Sequence, residues 1–68
     1  MENIKIIFGL KIKELRIQKS YSQEDLAKLA SITKSYISDI ENGKRNVSLK
    51  VIDKLAKVFE VEINKLFE

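Results

Sequence analysis

Lys34, Ser35, Ser38 and Asp39 are four residues with hydrogen-bonding side chains that lie close together in this chain. If the segment is helical, positions 34, 35 and 38 share one face, because residues three and four apart are neighbours on a helix. An ammonium group and two hydroxyls on an outward helix face can hydrogen-bond to base edges, and the major groove of DNA is wide enough to admit a helix. The segment is therefore a candidate base-reading surface.

The four candidates differ in what they can recognise. The ammonium group of Lys34 can donate to O6 and N7 of guanine, which makes it the strongest single reader. The hydroxyls of Ser35 and Ser38 either donate or accept, so they discriminate poorly between bases. The carboxylate of Asp39 is repelled by phosphates unless it accepts from cytosine N4 or pairs with a neighbouring lysine, and both alternatives stay open.

Two short helices joined by a tight turn would position these side chains. Ser22 and Thr33 are residue types that accept from the first amides of a helix, so each predicts a helix start. Gly43 predicts the end of the second helix, because glycine tolerates the left-handed backbone found there. The apolar positions that bury one side of both helices are Leu26, Ala27, Ala30, Ile32, Ile37 and Ile40. This layout predicts a helix-turn-helix.

The rest of the pattern predicts an all-α fold. We expect five helices, at about 3–19, 23–30, 34–41, 49–58 and 63–67. The core-facing residues outside the motif are expected to be Ile4, Phe8, Ile12, Leu15, Leu49, Ile52, Leu55, Ala56, Phe59, Leu66 and Phe67. Because 68 residues make one small domain, the expected architecture is a compact five-helix bundle over residues 1–68.

The composition excludes several classes of function. The chain has no Cys and no His, so zinc fingers, thiol nucleophiles and histidine bases are excluded. We expect no enzyme activity, catalytic residue, metal or cofactor. The apolar run at residues 6–10 is far shorter than the roughly 20 residues of a membrane span, so we expect no membrane partner and a cytoplasmic location. The net charge of +3 weakly favours a nucleic-acid partner.

The ordered motifs resemble those of the lambdoid phage repressor and Cro family of small helical regulators. The matching segments are Lys13-Glu14-Leu15-Arg16, Ser22-Gln23-Glu24-Asp25-Leu26-Ala27, Ser38-Asp39-Ile40-Glu41-Asn42-Gly43-Lys44, Leu55-Ala56-Lys57 and Leu66-Phe67. The resemblance covers nearly the whole chain and implies a lambda-repressor-like DNA-binding domain. Ser31 departs from the pattern, since the family usually has Gly there. A serine with the positive φ expected at this turn costs about 1 kcal/mol.

The resemblance also implies roles for residues outside the base-reading group. The phosphate-binding candidates are Gln23, Tyr36, Lys44, Arg45 and Asn46. For Tyr36 two placements stay open, either packed under the first helix or against the sugar-phosphate backbone with its hydroxyl donating. Arg16 and Glu41 match positions whose side chains meet, so they are expected to form a structural ion pair between the first and third helices.

Several apolar residues near the corner between the fourth and fifth helices exceed what the core needs. They are Val51, Val58, Val61 and Ile63. A cluster of surface apolar residues suggests self-association. The resemblance implies the same, because many members of the family dimerise at this corner. We therefore expect a homodimer with these residues in its interface.

These observations indicate a transcriptional regulator that binds double-stranded DNA as a homodimer on a palindromic operator. Within the family, residues 34–38 and 44–49, in a chain with no ligand domain, resemble the controller proteins of restriction-modification systems. A phage-type repressor and an antitoxin are alternatives. No small-molecule effector is expected, because the bundle leaves little volume for a pocket. The alternative from another class is a protein-interaction module whose basic loop is only solvated.

Overall fold

The computed structural model describes residues 3–68, and no strand occurs among them. Four α-helices are followed by one 3-10 helix: α1 (Ile4–Gln18), α2 (Gln23–Ala30), α3 (Lys34–Glu41), α4 (Leu49–Phe59) and η1 (Ile63–Phe67). The all-α prediction is confirmed. The fifth element is not the α-helix expected, since this five-residue segment adopts the tighter 3-10 form that suits short pieces of chain. Residues 1 and 2 of the predicted single domain lie outside the described residues.

The helix α3 is held from two sides. It packs against α1 and α2, while α2 also packs against α4 and η1 lies against both α1 and α4. The core is formed by Phe8, Ile12, Leu26, Ala27, Ala30, Ile37, Ile40, Val51, Leu55, Ala56, Phe59 and Leu66. The rings of Phe8 and Phe67 have their centroids 5.1 Å apart, which ties η1 to α1. None of the helices in residues 3–68 has the length and apolar character needed to cross a membrane.

Side-chain caps begin each of the four α-helices. The hydroxyl oxygens of Ser22, Thr33 and Ser48 accept from the backbone N–H three residues further on, as predicted, and Asn3 caps α1. Ser22 and Asp25 form a reciprocal capping box, in which the carboxylate of Asp25 accepts from the Ser22 N–H at 2.9 Å. Hydrogen bonding of this carboxylate with the backbone N–H and with the side chain of Ser22 lowers the pKa of Asp25. The helix starts therefore follow from local chemistry.

The turn between α2 and α3 uses a left-handed residue that is not glycine. Ser31 has φ 57° and ψ 44°, and it closes α2 by donating from its N–H to the Lys28 carbonyl. The positive φ predicted at this position is confirmed. Gly43, at φ 70°, ends the turn after α3 as predicted. The motif therefore has its expected backbone, with the conformational cost of a serine at the first of its two turns.

The buried side of α4 differs from the prediction. Leu49 is 84% exposed, whereas Val51 is only 7% exposed. Val51, Leu55 and Phe59 are four residues apart, so they form one stripe that faces the bundle, and Leu49 lies outside it. Two predictions are therefore wrong: Leu49 is not a core residue, and Val51 is not a surface residue that a second subunit could contact. The prediction of Ile4 as a core residue is also wrong, because it begins α1 one turn before the first buried residue of that helix, Phe8, and is exposed.

A close approach of α1 to the end of α3 depends on Gly9. A Cβ atom at this position would overlap the carbonyl oxygen of Ile40 and would lie 3.2 Å from that of Glu41. Gly9 is buried in the middle of α1, so the absence of a side chain allows the two backbones to meet. This contact brings α1 against the last turn of α3, which carries both Asp39 and Glu41.

Candidate nucleic-acid interface

The predicted base-reading residues lie on the outward part of α3. Lys34 and Ser35 are exposed and Ser38 is half-buried, while Ile37 is buried beneath them. The Ser38 hydroxyl accepts a long hydrogen bond of 3.5 Å from the side-chain nitrogen of Asn42. The arrangement presents one ammonium group and two hydroxyls at the surface, on a helix whose other side is fixed in the core.

Behind this surface, Arg16 and Glu41 form the ion pair expected between α1 and α3. The Nε–Oε2 distance is 2.6 Å and the Nη2–Oε1 distance is 3.1 Å, so the contact has two hydrogen bonds. The third nitrogen of the guanidinium, Nη1, donates to the carbonyl oxygen of Tyr21 at 2.9 Å. The side chains are 14% and 4% exposed. The pair fixes the end of α3 relative to α1 in a nearly dry environment.

Gln23 belongs to the same buried network. Its Nε2 donates to Oε1 of Glu41 at 3.1 Å, a contact that the sequence did not indicate. A primary amide has two N–H donors, so one remains for an external acceptor. The backbone N–H of Gln23 also lies at the N-terminus of α2, where helix amides lack internal partners. Both donors fit the expected contact with a phosphate.

Arg45 lies against two residues of α3. The guanidinium carbon is 4.0 Å from the centroid of the Tyr36 ring, and Nη1 is 3.8 Å from Oδ2 of Asp39. The ring of the half-buried Tyr36 therefore meets a cation, a placement that neither sequence-based alternative included. Asp39 pairs with a neighbouring cation as one of its alternatives proposed, but that cation is an arginine.

The basic loop begins where α3 ends. The N–H of Gly43 donates to the Ile40 carbonyl at 3.0 Å, and the N–H of Lys44 donates to the Asp39 carbonyl at 2.9 Å. Lys44, Arg45 and Asn46 are all exposed. These backbone contacts place two cations and an amide directly beside the outward part of α3.

The apolar residues expected in a self-association face lie on the α4 side of the molecule. Val58 and Val61 are half-buried, and Ile63 is 46% exposed. Leu29, exposed on α2, lines a shallow groove together with Val58. Sequence reasoning missed Leu29, although a leucine beside rather than on the buried positions of α2 is a signal that could have found it.

Two short helices, α2 and α3, joined by a tight turn with the polar side of the second exposed, are the arrangement of a helix-turn-helix protein. Residues 12–66 match the sequence pattern of the helix-turn-helix family, and the chain belongs to that family. One similar relative is the control protein C.BamHI of Bacillus amyloliquefaciens. It is 45% identical over 67 residues, which cover 97% of this chain and 83% of the relative.

Two solved structures are also similar. The restriction-modification controller protein C.AhdI from Aeromonas hydrophila is 44% identical and superposes with a TM-score of 0.88, over 93% of this chain and 96% of that one. The biofilm regulator SinR, solved in complex with DNA, is 35% identical with a TM-score of 0.84, over 90% of this chain and 98% of that one. The likeness extends over nearly the whole length in both cases.

Proposed function

We propose that this chain is a sequence-specific transcriptional regulator that binds double-stranded DNA by inserting α3 into the major groove. The observation that carries the proposal is the polar side of α3, which is exposed next to the basic loop while the opposite side is fixed in the core. The similarity to C.BamHI, C.AhdI and DNA-bound SinR supports it. The protein acts by binding alone and catalyses no reaction.

The DNA contacts are of two kinds, those to base edges and those to the sugar-phosphate backbone. Lys34, Ser35 and Ser38 read base edges, with Lys34 as the principal reader because its ammonium group can donate to guanine. The residues that contact the sugar-phosphate backbone are Gln23, Lys44, Arg45 and Asn46, and Tyr36 contributes through its contact with Arg45. Such contacts fix register but carry no sequence information of their own.

The protein binds its operator as a homodimer, and the operator is palindromic. A single α3 offers only a few base contacts, each worth about 1 to 3 kcal/mol, whereas specific recognition needs about 4 to 10 kcal/mol over non-specific binding. Two copies related by a two-fold axis double the number of base contacts. Val58, Val61 and Ile63 form the contact surface, with Leu29 beside Val58.

The regulated system is restriction-modification. C.BamHI is a control protein and C.AhdI is a restriction-modification controller protein, and both match this chain over most of their length. The alternatives are that the protein is a phage-type repressor or an antitoxin, which regulate other genes. Identification of the bound sequence in its genomic context distinguishes them.

The reading role of α3 is tested with single variants. After an operator has been selected from a random duplex pool, Lys34→Ala should cost about 1 to 3 kcal/mol on that operator and relax the preference at one base pair per half-site. Arg45→Ala should weaken binding to every duplex and lower the salt slope by about one per subunit. Lys65→Ala removes one exposed cation outside the motif and serves as the control.

Wild-type base preference in Lys34→Ala would exclude Lys34 as the reader. A chain that binds no duplex at low salt, yet binds a protein partner tightly, would instead be a protein-interaction module. Duplex binding that weakens steeply with salt would exclude that alternative.

The dimer is tested by changing Ile63, which is exposed, so that the fold is preserved. Ile63→Glu should shift the mass in sedimentation toward the monomer and weaken operator binding. Leu49→Glu is the matched control, because Leu49 is exposed on the opposite side of α4 from Val58. A wild-type protein that remains monomeric at high micromolar concentration would contradict the homodimer.

A further inference from the structure

Arg45 is the only arginine of the basic loop, and two side chains of α3 define its position. The guanidinium lies over the Tyr36 ring at 4.0 Å from the centroid, which is within the range of a cation–π contact. The side chain of Tyr36 is half-buried and packs against the core, and its backbone N–H donates to the Thr33 hydroxyl at 3.0 Å in the first turn of α3. The ring is therefore a rigid surface beneath a long side chain.

Stacking uses the face of a guanidinium and leaves its N–H donors in the plane of the group. An arginine carries five such donors in a fixed fork, which fits a phosphate or a carboxylate with two parallel hydrogen bonds. Contact with the Tyr36 ring thus restricts the rotation of the Arg45 side chain without satisfying its N–H donors. A preorganised arginine loses less conformational freedom when it binds an anion.

The carboxylate of Asp39 approaches Arg45 without a hydrogen bond. Its Oδ2 is 3.8 Å from Nη1, which is an ion-pair distance but too long for a hydrogen bond. Both side chains are about two-fifths exposed, at 42% and 41%. Exposed pairs of this kind are weak and screened by salt, so another anion can replace the carboxylate.

We propose that Tyr36 and Asp39 are positioning residues for Arg45. The Tyr36 ring orients the guanidinium toward a DNA phosphate. The Asp39 carboxylate pairs with the guanidinium in the absence of DNA, and the phosphate replaces the carboxylate when DNA binds. The inference rests on the proposed function and deepens it. Asp39 then reads no base. Instead it competes with DNA for Arg45 and lowers the affinity for every sequence alike.

The role of Tyr36 is tested by separating its ring from its hydroxyl. Tyr36→Phe keeps the stacking surface and should bind duplexes within about twofold of the wild type. Tyr36→Leu removes the ring and should weaken binding to all duplexes by about two- to fivefold. In an Arg45→Ala background, Tyr36→Leu should add no further loss. A large loss in Tyr36→Phe would overturn the inference, because it would assign the contact to the hydroxyl.

The role of Asp39 is tested with the isosteric, uncharged variant. Asp39→Asn should raise the affinity for operator and random duplexes equally, by about two- to fivefold at low salt, and the gain should vanish in an Arg45→Ala background. Asp53→Asn, which neutralises an exposed carboxylate of α4 that pairs with Lys57 at 3.1 Å, is the matched control for net charge and should give no comparable gain. An altered preference at a single base pair in Asp39→Asn would overturn the inference and make Asp39 a base reader.

The geometry is also tested in the protein without DNA. The Cδ protons of Arg45 should show an upfield ring-current shift in NMR spectra that persists in Tyr36→Phe and is lost in Tyr36→Leu. Circular dichroism on each variant confirms that the fold is kept. If the shift is absent while the wild type binds its operator, the inference fails and the proposed function stands. If the wild type binds no duplex, the proposed function fails and the role of this contact in DNA binding fails with it.

Discussion

Two arginine–carboxylate pairs meet the last turn of α3, and they differ in almost every physical respect. Arg16 and Glu41 lie in the interior, 14% and 4% exposed, with an Nε–Oε2 distance of 2.6 Å. Arg45 and Asp39 lie at the surface, 42% and 41% exposed, with an Nη1–Oδ2 distance of 3.8 Å. The same pairing of residue types therefore yields a fixed contact on one side of the helix and an exchangeable one on the other.

The difference comes from the number of partners as much as from burial. Glu41 accepts two hydrogen bonds from Arg16 and one from Gln23, and Arg16 also donates to the Tyr21 carbonyl. A buried charge needs such partners, since its desolvation is otherwise uncompensated. Asp39 and Arg45 remain partly in water and do not depend on each other in that way. The buried pair therefore fixes α3 against α1, while the exposed pair leaves the cation of Arg45 partly in water.

The largest effect is expected at the buried pair. Arg16→Ala and Glu41→Ala should each lower the free energy of unfolding by about 3 to 5 kcal/mol, because each leaves an uncompensated buried charge. The double variant should lose less than the sum of the two, since neither charge then remains alone. Chemical denaturation of the four proteins measures the coupling. Strictly additive losses would show that the two side chains do not stabilise each other.

A smaller loss is expected at Gly9, which allows α1 to approach the helix end that carries both pairs. Gly9→Ala should destabilise by about 1 to 3 kcal/mol, because the added methyl group overlaps the Ile40 carbonyl. This loss opposes the gain of about 1 kcal/mol that alanine brings to a helix interior. Thermal unfolding measures the balance, with Gln18→Ala at the exposed end of α1 as the control. A net gain in stability would mean that the two backbones separate at little cost.

The sequence predicted those features that depend on local chemistry or on a resemblance. The caps at Ser22, Thr33 and Ser48 follow from residue type and position, and the positive φ of Ser31 follows from the family's turn. The pairing of Arg16 with Glu41 followed from matched positions, because contacts between helices of a conserved bundle recur. These predictions needed no knowledge of side-chain conformation.

The failures have a different physical origin. The contact of Arg45 with Tyr36 depends on the path of a loop and on a rotamer, which residue spacing does not determine. The exposure of Leu49 and the burial of Val51 depend on how α4 rotates against the bundle, and both residues are compatible with an apolar stripe. Gly9 interrupts no apolar pattern, so its role appears only when α1 is placed against α3. Tertiary contacts thus decided each of these cases.

A modest gain in stability is expected from a change at Ser31, in the turn between α2 and α3. Ser31→Gly should stabilise the protein by up to about 1 kcal/mol, because glycine adopts φ 57° without the steric cost of a Cβ atom. The greater freedom of glycine in the unfolded chain reduces this gain. Denaturation with urea measures it, and the Arg16–Glu41 coupling energy should be unchanged in this background. A destabilised variant would show that the serine side chain contributes contacts that outweigh its backbone strain.

The smallest effect on stability is expected at the exposed pair, where Asp39→Asn contrasts most clearly with Glu41→Ala. Asp39→Asn should change the free energy of unfolding by less than about 0.5 kcal/mol, because an exposed ion pair without a hydrogen bond contributes little. At about 1 M salt the Debye length falls to about 3 Å, so even this difference should disappear, while the loss in Glu41→Ala should persist. Both variants are measured by denaturant unfolding at low and high salt. If Asp39→Asn lowers the free energy of unfolding by more than about 1 kcal/mol, the Asp39 carboxylate stabilises the fold as Glu41 does. Arg45 would then be bound too tightly to Asp39 to exchange it for a phosphate.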